Sequence, residues 1–246
     1  MNHSMIKTSL MLFDLDGTLI DSKTDLTNSI NLMLAGVGRP PLDEATVGGF
    51  VGDGVRILVY RSLTATDPNN QPPEKALHAE GIALMHRHYA VEMLKTTKLY
   101  PGVRETLDHF SSKRKAVVTS KEVRFTKIIL EHFAIADCFD VIVGGDTVPA
   151  RKPDPRPVTE AVRRLISLDA SGESGAEPLI EAAPLLKDAA ASAVMVGDSE
   201  NDINAGRSAG TRTCAVTFGF RTAEQLRLTN PDVIVDRFDQ LKEFFC

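Results

Sequence analysis

Short apolar runs recur along the chain, and longer stretches whose apolar residues have helical spacing separate them. The runs do not alternate with polar residues, a pattern typical of strands buried on both faces of a parallel sheet. The runs lie at residues 9–13, 116–119, 141–143, 193–196, 214–216 and 233–235, and helical spacing is found at 103–110, 128–133 and 158–165. Strands and helices in alternation predict an α/β fold with a Rossmann-like, doubly wound parallel sheet.

The interval 21–96 breaks this alternation because it contains no convincing buried strand. Apolar residues with helical spacing predict two helices in it, near 26–37 and 77–89, and turns containing glycine and proline are expected between them. We therefore predict two domains. A helical domain at 21–96 is inserted after the first strand, and residues 1–20 and 97–246 form the α/β core.

Composition narrows the classes of protein to consider. The 246 residues are 43% hydrophobic and 25% charged, as in ordinary soluble domains. With 28 basic and 33 acidic residues, the net charge of −5 lacks the basic excess of a general nucleic-acid binder. No apolar run approaches the ~18 residues of a membrane span, the N-terminus does not resemble a signal peptide, and three scattered cysteines do not suggest a disulfide framework. We expect a cytoplasmic protein that binds neither nucleic acid nor membrane.

Polar segments follow four of the predicted strands, at the edge where open α/β sheets bind ligands. In the first, Asp14 and Asp16 are two residues apart, so their carboxylates can act as nucleophile and general acid/base or can hold a hard divalent cation. Aspartate and glycine are equally common in turns, which is the alternative interpretation. In the second, Thr119 and Ser120 suit phosphate oxygens, or they form a simple helix N-cap.

The other two segments add a cation and further carboxylates. Lys152 lies among prolines that restrict the backbone, so its ammonium can be aimed at a phosphoryl group, although a solvated surface lysine is the alternative. Asp198 follows an apolar strand, and Asp202 lies four residues further on. A carboxylate there, opposite Asp14, completes an oxygen-ligand site for Mg²⁺; the alternative is an acidic cap of the next helix.

Taken in order, the segments DLDGTLIDS, VVTS, KPDP and VGDSENDINAG resemble the four motifs of the haloacid dehalogenase superfamily. They extend from residue 14 to about 206, and the insertion at 21–96 has the position of this family's helical C1 cap. The resemblance implies an α/β core with a cap that closes over a small substrate and excludes water during transfer.

The resemblance also implies roles for individual residues. Asp14 would attack phosphorus to form an aspartyl-phosphate, and Asp16 would protonate the leaving oxygen and then activate water. Mg²⁺ would be held by the Asp14 carboxylate, the Asp16 backbone carbonyl and Asp198, with Asp202 supporting the site. An acid/base aspartate at Asp16 argues for phosphate chemistry, because a halide leaving group needs no proton. The residues implied to bind the phosphoryl group are Thr119, Ser120 and Lys152.

Further segments resemble the bacterial phosphoglycolate phosphatases, at residues 36–41, 50–55, 99–103 and 144–147. They favour 2-phosphoglycolate as the substrate. The residues expected to bind it from the cap are Gly52, Asp53, Gly54 and Arg56, and Arg61 is a further candidate. The sequence departs from this subgroup in two places: Ser120 stands where Asn is usual, and extra residues lie within about 167–191, where one short helix is expected near 180–190.

Several alternatives remain for the same fold. The substrate can be a sugar phosphate, a nucleotide or pyrophosphate, or the chain can be a phosphoglucomutase-like phosphotransferase that shelters its aspartyl-phosphate from water. A protein that only binds a ligand is disfavoured, because Asp14, Asp16, Lys152 and Asp198 are all present. The expected partner is a small phosphorylated metabolite, and the expected state is a monomer or homodimer.

Overall fold

The computed structural model describes residues 5–170 and 182–246. Its strands are β1 Leu10–Phe13, β2 Ile20–Asp21, β3 Lys98–Leu99, β4 Arg114–Val118, β5 Val141–Val143, β6 Ala193–Gly197, β7 Arg212–Val216 and β8 Val233–Val235. Six of them form a parallel sheet in the order β5-β4-β1-β6-β7-β8, and β2 pairs with β3 in a separate sheet. The predicted α/β fold is confirmed, and the predicted strand ends differ from the observed ones by at most two residues.

Strand β1 lies at the centre of the six-stranded sheet, between β4 and β6. Leu12 is aligned with Ala116 on one side and Met195 on the other, and all four residues of β1 are buried. A strand covered on both faces gains from an apolar side chain at every position, which explains the continuous apolar run in the sequence.

The core helices follow the strands. Helices are numbered in chain order, so that the first four belong to the insertion. The core helices are α5 Val103–His109, α6 Val123–His132, α7 Arg156–Ala170, α8 Ala182–Ala191, α9 Glu200–Ser208, α10 Ala223–Arg227 and α11 Leu241–Phe244. In α7 the predicted apolar face is confirmed, because Val158, Val162 and Leu165 are fully buried against the sheet residues Leu12 and Met195.

The region of the expected extra residues is only partly described. Helix α8, at Ala182–Ala191, corresponds to the short helix expected near 180–190. The rest of the expected insertion, at 171–181, lies outside the described residues. Among 5–170 and 182–246, no helix is both long and apolar enough to cross a bilayer.

The chain divides into two compact units, of which one is Ile20–Lys98 and the other is the remainder. The smaller unit contains α1 Lys23–Gly36, α2 Glu44–Phe50, α3 Val55–Ala65 and α4 Lys75–Glu92. The two predicted helices correspond to α1 and α4 and pack against each other. The prediction of turns alone between them is wrong, because α2 and α3 lie there.

The missed helices have weak or interrupted sequence signals. Helix α2 is short and contains two glycines, so its apolar spacing is poor. Helix α3 buries Leu58, Val59 and Leu63, a spacing that does indicate a helix, but Gly52 and Gly54 just before it suggest a longer loop. Both glycines have positive φ, 125° and 81°, which explains glycine in this connection between helices.

Asp25 joins the beginning and the end of the helical unit. Its fully buried carboxylate accepts hydrogen bonds from the backbone N–H and the hydroxyl of both Thr96 and Thr97, at 2.7–3.1 Å. Burial raises the pKa of Asp25, but these donors outweigh burial and hold the pKa below its usual value. The ionised carboxylate therefore stabilises the fold of this unit.

Replacing Asp25 with Asn is expected to lower the free energy of unfolding by about 1–3 kcal/mol at pH 7, because amide N–H groups cannot accept the threonine donors. The contribution of Asp25 is complete above the unfolded-state pKa of about 3.9 and is lost as pH falls through the lower folded-state pKa. Urea titrations should therefore show a constant difference from wild type between pH 7 and pH 5 that shrinks below about pH 4.

Asp21→Asn is the matched control, because the Asp21 carboxylate forms a long, 4.0 Å ion pair with the exposed Lys98. Its cost should stay below about 1 kcal/mol. An Asp25→Asn protein as stable as wild type at pH 7, or a difference that persists unchanged at low pH, contradicts the assignment.

Candidate active site

Three predicted site residues directly follow neighbouring strands. Asp14 comes after β1, Thr119 after β4 and Asp198 after β6. Because β1 lies between β4 and β6 and all three run parallel, their carboxyl ends meet at one edge of the sheet. The fold therefore brings the first, second and fourth polar segments together.

Three carboxylates form a cluster at this edge. Oxygens of Asp14, Asp198 and Asp202 all lie within 4.8 Å of one another, and the side chains are largely buried. Asp202 Oδ2 accepts hydrogen bonds from the backbone N–H and the hydroxyl of Ser199, at 3.0 and 2.7 Å. Asp202 therefore lies in the first turn of α9 and bonds back to its N-cap, so the helix-cap interpretation of this residue also applies.

Lys152 connects the cluster to the sheet. Its Nζ donates to Asp14 Oδ1 at 2.9 Å, to Asp202 Oδ1 at 2.6 Å and to the carbonyl oxygen of Val118 at 2.7 Å. Burial lowers the pKa of Lys152, but Asp14 and Asp202 outweigh burial and raise it above its usual value. The side chain is 3% exposed, so the surface-lysine alternative is wrong and the ammonium is a fixed, permanent charge.

The cluster carries an excess of negative charge. Burial raises the pKa of Asp14 to about 6, while Lys152 opposes the rise. Burial, together with Asp202 and Asp14, raises the pKa of Asp198 well above its usual value. Lys152 contributes one positive charge against three carboxylates, so a divalent cation would offset the remaining repulsion. Buried carboxylate oxygens are also the ligands that Mg²⁺ prefers, and the residues therefore fit such an ion.

Asp198 is bound by a backbone N–H and fits into space that two glycines leave open. The N–H of Phe220 donates to Asp198 Oδ2 at 2.6 Å. A methyl group at Gly17 or at Gly219 would overlap the Asp198 side chain. Sequence reasoning missed Gly219 and Phe220, because neither has a charged or hydroxyl side chain and Phe220 acts through its backbone N–H.

Asp16 is held by a residue that sequence reasoning did not select. Its Oδ1 lies 2.9 Å from Nζ of Lys121, and both side chains are largely buried. The Asp16 carboxylate is not part of the acidic cluster described above. The sequence signal was the cation two residues after Thr119, which places it at the end of β4 beside β1.

The hydroxyls at the end of β4 do not cap the next helix. The N-cap of α6 is Glu122, so the N-cap alternative for Thr119 and Ser120 is wrong. Thr119 Oγ1 instead accepts from the backbone N–H of Lys121, at 3.2 Å. Ser120 Oγ is buried and has no hydrogen-bond partner among the described residues. A bound anion would satisfy it, in agreement with the expected phosphate site.

The residues expected in the cap lie in the smaller compact unit, between α2 and the first turn of α3. Asp53 forms a 2.6 Å ion pair with Arg61, whose NH1 also donates to the carbonyl oxygen of Phe50 at 3.0 Å. Arg61 thus holds the connection that contains Gly52 and Gly54. Arg56 is exposed, and its backbone carbonyl oxygen lies 2.8 Å from Nε2 of His78.

Replacing Gly219 with Ala should weaken Mg²⁺ binding by about 10- to 100-fold, because the added methyl displaces Asp198. Titration calorimetry measures this directly. Gly49→Ala is the matched control, since a methyl there meets no atom within 4 Å. Equal Mg²⁺ affinity in wild type and Gly219→Ala, with both proteins folded by circular dichroism, contradicts a metal site at Asp198.

The chain matches known proteins over most of its length. Residues 11–216 match the family model described as haloacid dehalogenase-like hydrolase. A phosphoglycolate phosphatase of Photobacterium profundum is 34% identical over 93% of this chain and 92% of its own length, and phosphoglycolate phosphatase 1 of Pseudomonas aeruginosa is 33% identical over 94% and 78%. The crystal structure of a predicted phosphoglycolate phosphatase from Haemophilus somnus superposes with a TM-score of 0.81, at 28% identity over 96% of this chain and 97% of that one.

Proposed function

The chain belongs to the haloacid dehalogenase-like hydrolase family, and from this premise we propose that it is a Mg²⁺-dependent phosphatase that hydrolyses 2-phosphoglycolate to glycolate and phosphate. The observation that supports this most directly is the contact of Lys152 with both Asp14 and Asp202 inside the acidic cluster. A buried carboxylate held by a fixed ammonium at the carboxyl end of β1 is a suitable nucleophile for a phosphate ester.

Asp14, Asp16 and Asp198 would hold the ion, the first and last through carboxylates and Asp16 through its backbone carbonyl, and Mg²⁺ when bound neutralises charge on the phosphoryl oxygens. Asp202 supports the site indirectly, because it accepts hydrogen bonds from Lys152 and from the backbone N–H of Ser199. A phosphomonoester dianion repels a carboxylate, so positive charge around the phosphoryl group is what lets Asp14 approach phosphorus.

The reaction proceeds in two transfers. In the first, Asp14 attacks phosphorus, the bond to the glycolate oxygen breaks, and Asp16 gives its proton to that oxygen. In the second, Asp16 takes a proton from water, the water oxygen attacks phosphorus, and Asp14 is released with inorganic phosphate. Thr119, Ser120 and Lys152 bind the phosphoryl oxygens throughout, and the buried Ser120 hydroxyl donates to one of them.

The choice of 2-phosphoglycolate rests on the relatives and on the cap. Both curated relatives named above are phosphoglycolate phosphatases. We assign the substrate carboxylate to the backbone of Gly52, Asp53 and Gly54 and to the Arg56 guanidinium. Arg61 is committed to Asp53 and Phe50, so we assign it the support of this segment.

Asp14→Asn should lower the rate of phosphate release at least about a thousandfold, because the amide is not a nucleophile. EDTA should abolish wild-type activity and added Mg²⁺ should restore it. Asp137→Asn changes an exposed aspartate of the larger compact unit; it is the control and should keep wild-type activity. Full activity in Asp14→Asn, or in EDTA, contradicts the mechanism. The same assay is run with sugar phosphates, nucleotides and pyrophosphate. If one of these is hydrolysed faster than 2-phosphoglycolate, it replaces 2-phosphoglycolate as the proposed substrate. An isomerised sugar phosphate as the product indicates a phosphotransferase instead.

Arg56→Ala should lower kcat/KM for 2-phosphoglycolate by about 10- to 100-fold, which corresponds to one lost charged hydrogen bond. Ethyl phosphate lacks the carboxylate, so its kcat/KM should change less than about threefold on the same argument. Arg87→Ala removes another exposed arginine of the same unit and should affect neither ester. Equal losses for both esters in Arg56→Ala contradict its assignment to the carboxylate.

A further inference from the structure

Asp16 and Lys121 form a largely buried ion pair. The distance from Asp16 Oδ1 to Lys121 Nζ is 2.9 Å, and the side chains are 11% and 7% exposed. Both residues belong to the larger compact unit, after the adjacent strands β1 and β4. An ion pair shielded from water in this way restrains both side chains more strongly than a surface pair does.

The backbone of Lys121 is itself fixed. Its N–H donates to Thr119 Oγ1 at 3.2 Å, and its carbonyl oxygen accepts from the N–H of Gly145 at 2.8 Å. The two glycines after β5 lie close to this segment, so that a methyl at Gly144 would meet the Lys121 carbonyl and one at Gly145 would overlap the Ser120 carbonyl. The loop after β5 therefore holds Lys121 in position against Asp16.

The site thus contains two lysines with little exposed surface, and each forms an ion pair with different carboxylates. Lys152 contacts Asp14 and Asp202, whereas Lys121 contacts Asp16. Proton transfer to a leaving oxygen depends on the orientation of the donor carboxyl. A carboxyl restrained by a fixed cation occupies unproductive rotamers less often.

We propose that Lys121 is a positioning residue that holds the Asp16 carboxyl for proton transfer to the leaving oxygen. This inference rests on the proposed phosphatase function. In the first transfer the proton passes from the Asp16 carboxyl to the ester oxygen as the bond from phosphorus to oxygen breaks. In the second transfer Asp16 takes a different proton, from the attacking water.

Leaving-group dependence tests this role. Alkoxides such as ethoxide need a proton to leave, whereas 4-nitrophenolate leaves without one. The quantity to compare is kcat/KM, because it reports the steps up to the first transfer. Lys121→Met removes the charge and keeps most of the side-chain length, and should lower kcat/KM for 2-phosphoglycolate and for ethyl phosphate by about 10- to 100-fold, against less than about threefold for 4-nitrophenyl phosphate.

Three further variants complete the design. Asp16→Asn should show the same selective loss with a larger magnitude, and Lys121→Arg, which keeps the cation, should recover most of the activity toward the alkyl esters. Lys127→Met removes an exposed lysine of α6 and should match wild type on all three esters. Circular dichroism and thermal melting establish that each variant is folded before it is assayed.

Each other outcome has a definite meaning. Equal losses on all three esters overturn the inference and make Lys121 structural. A loss on 2-phosphoglycolate with ethyl phosphate spared also overturns it and assigns Lys121 to the substrate carboxylate. Unchanged kinetics in Lys121→Met overturn the inference alone, whereas a wild-type protein that hydrolyses no phosphate ester overturns the proposed function and this inference together.

Discussion

The ammonium of Lys152 contacts Asp14, Asp202 and the Val118 carbonyl, and through these three contacts it joins β1, β4 and α9 at one edge of the sheet. Without it, three buried carboxylates would lie within 4.8 Å of one another with little to offset their repulsion. The same contact that makes the cluster tolerable in the fold also fixes the carboxylate that we propose as the nucleophile. Stability and chemistry at this edge therefore depend on one charge.

Close approach of the chain to these carboxylates depends on glycine. Gly17 and Gly219 lie against Asp198, and Gly197 lies against Asp202, where a methyl group at any of the three would overlap the carboxylate side chain. Gly17 also has φ of +85°, which other residues rarely adopt. The acidic cluster is thus compact because small residues from three segments leave room for it.

The two compact units have different stabilising interactions. The larger one is a sheet whose central strand is apolar at every position, and its site is held by buried ion pairs. The smaller one is a mainly helical insertion whose first helix and last segment are joined by Asp25 and two threonines. A buried aspartate therefore acts as a structural acceptor in the smaller unit and as part of a charged site in the larger one. The difference lies in the donors: neutral N–H and O–H groups bind Asp25, whereas the Lys152 ammonium binds Asp14 and Asp202.

Sequence alone determined the six strands of the parallel sheet, the helical insertion after the first strand, and the four polar segments, because apolar periodicity and motif spacing are local properties of the chain. It did not reveal α2 and α3, where glycines within or just before the helix obscure the helical pattern, nor the partners of the site residues. Lys121 with Asp16, Phe220 with Asp198 and Lys152 with Asp202 are 105, 22 and 50 residues apart along the chain. Such contacts were decided by the tertiary structure, because only the parallel sheet brings the ends of distant strands to one edge, and it is burial there that turns ordinary lysines and aspartates into fixed charges.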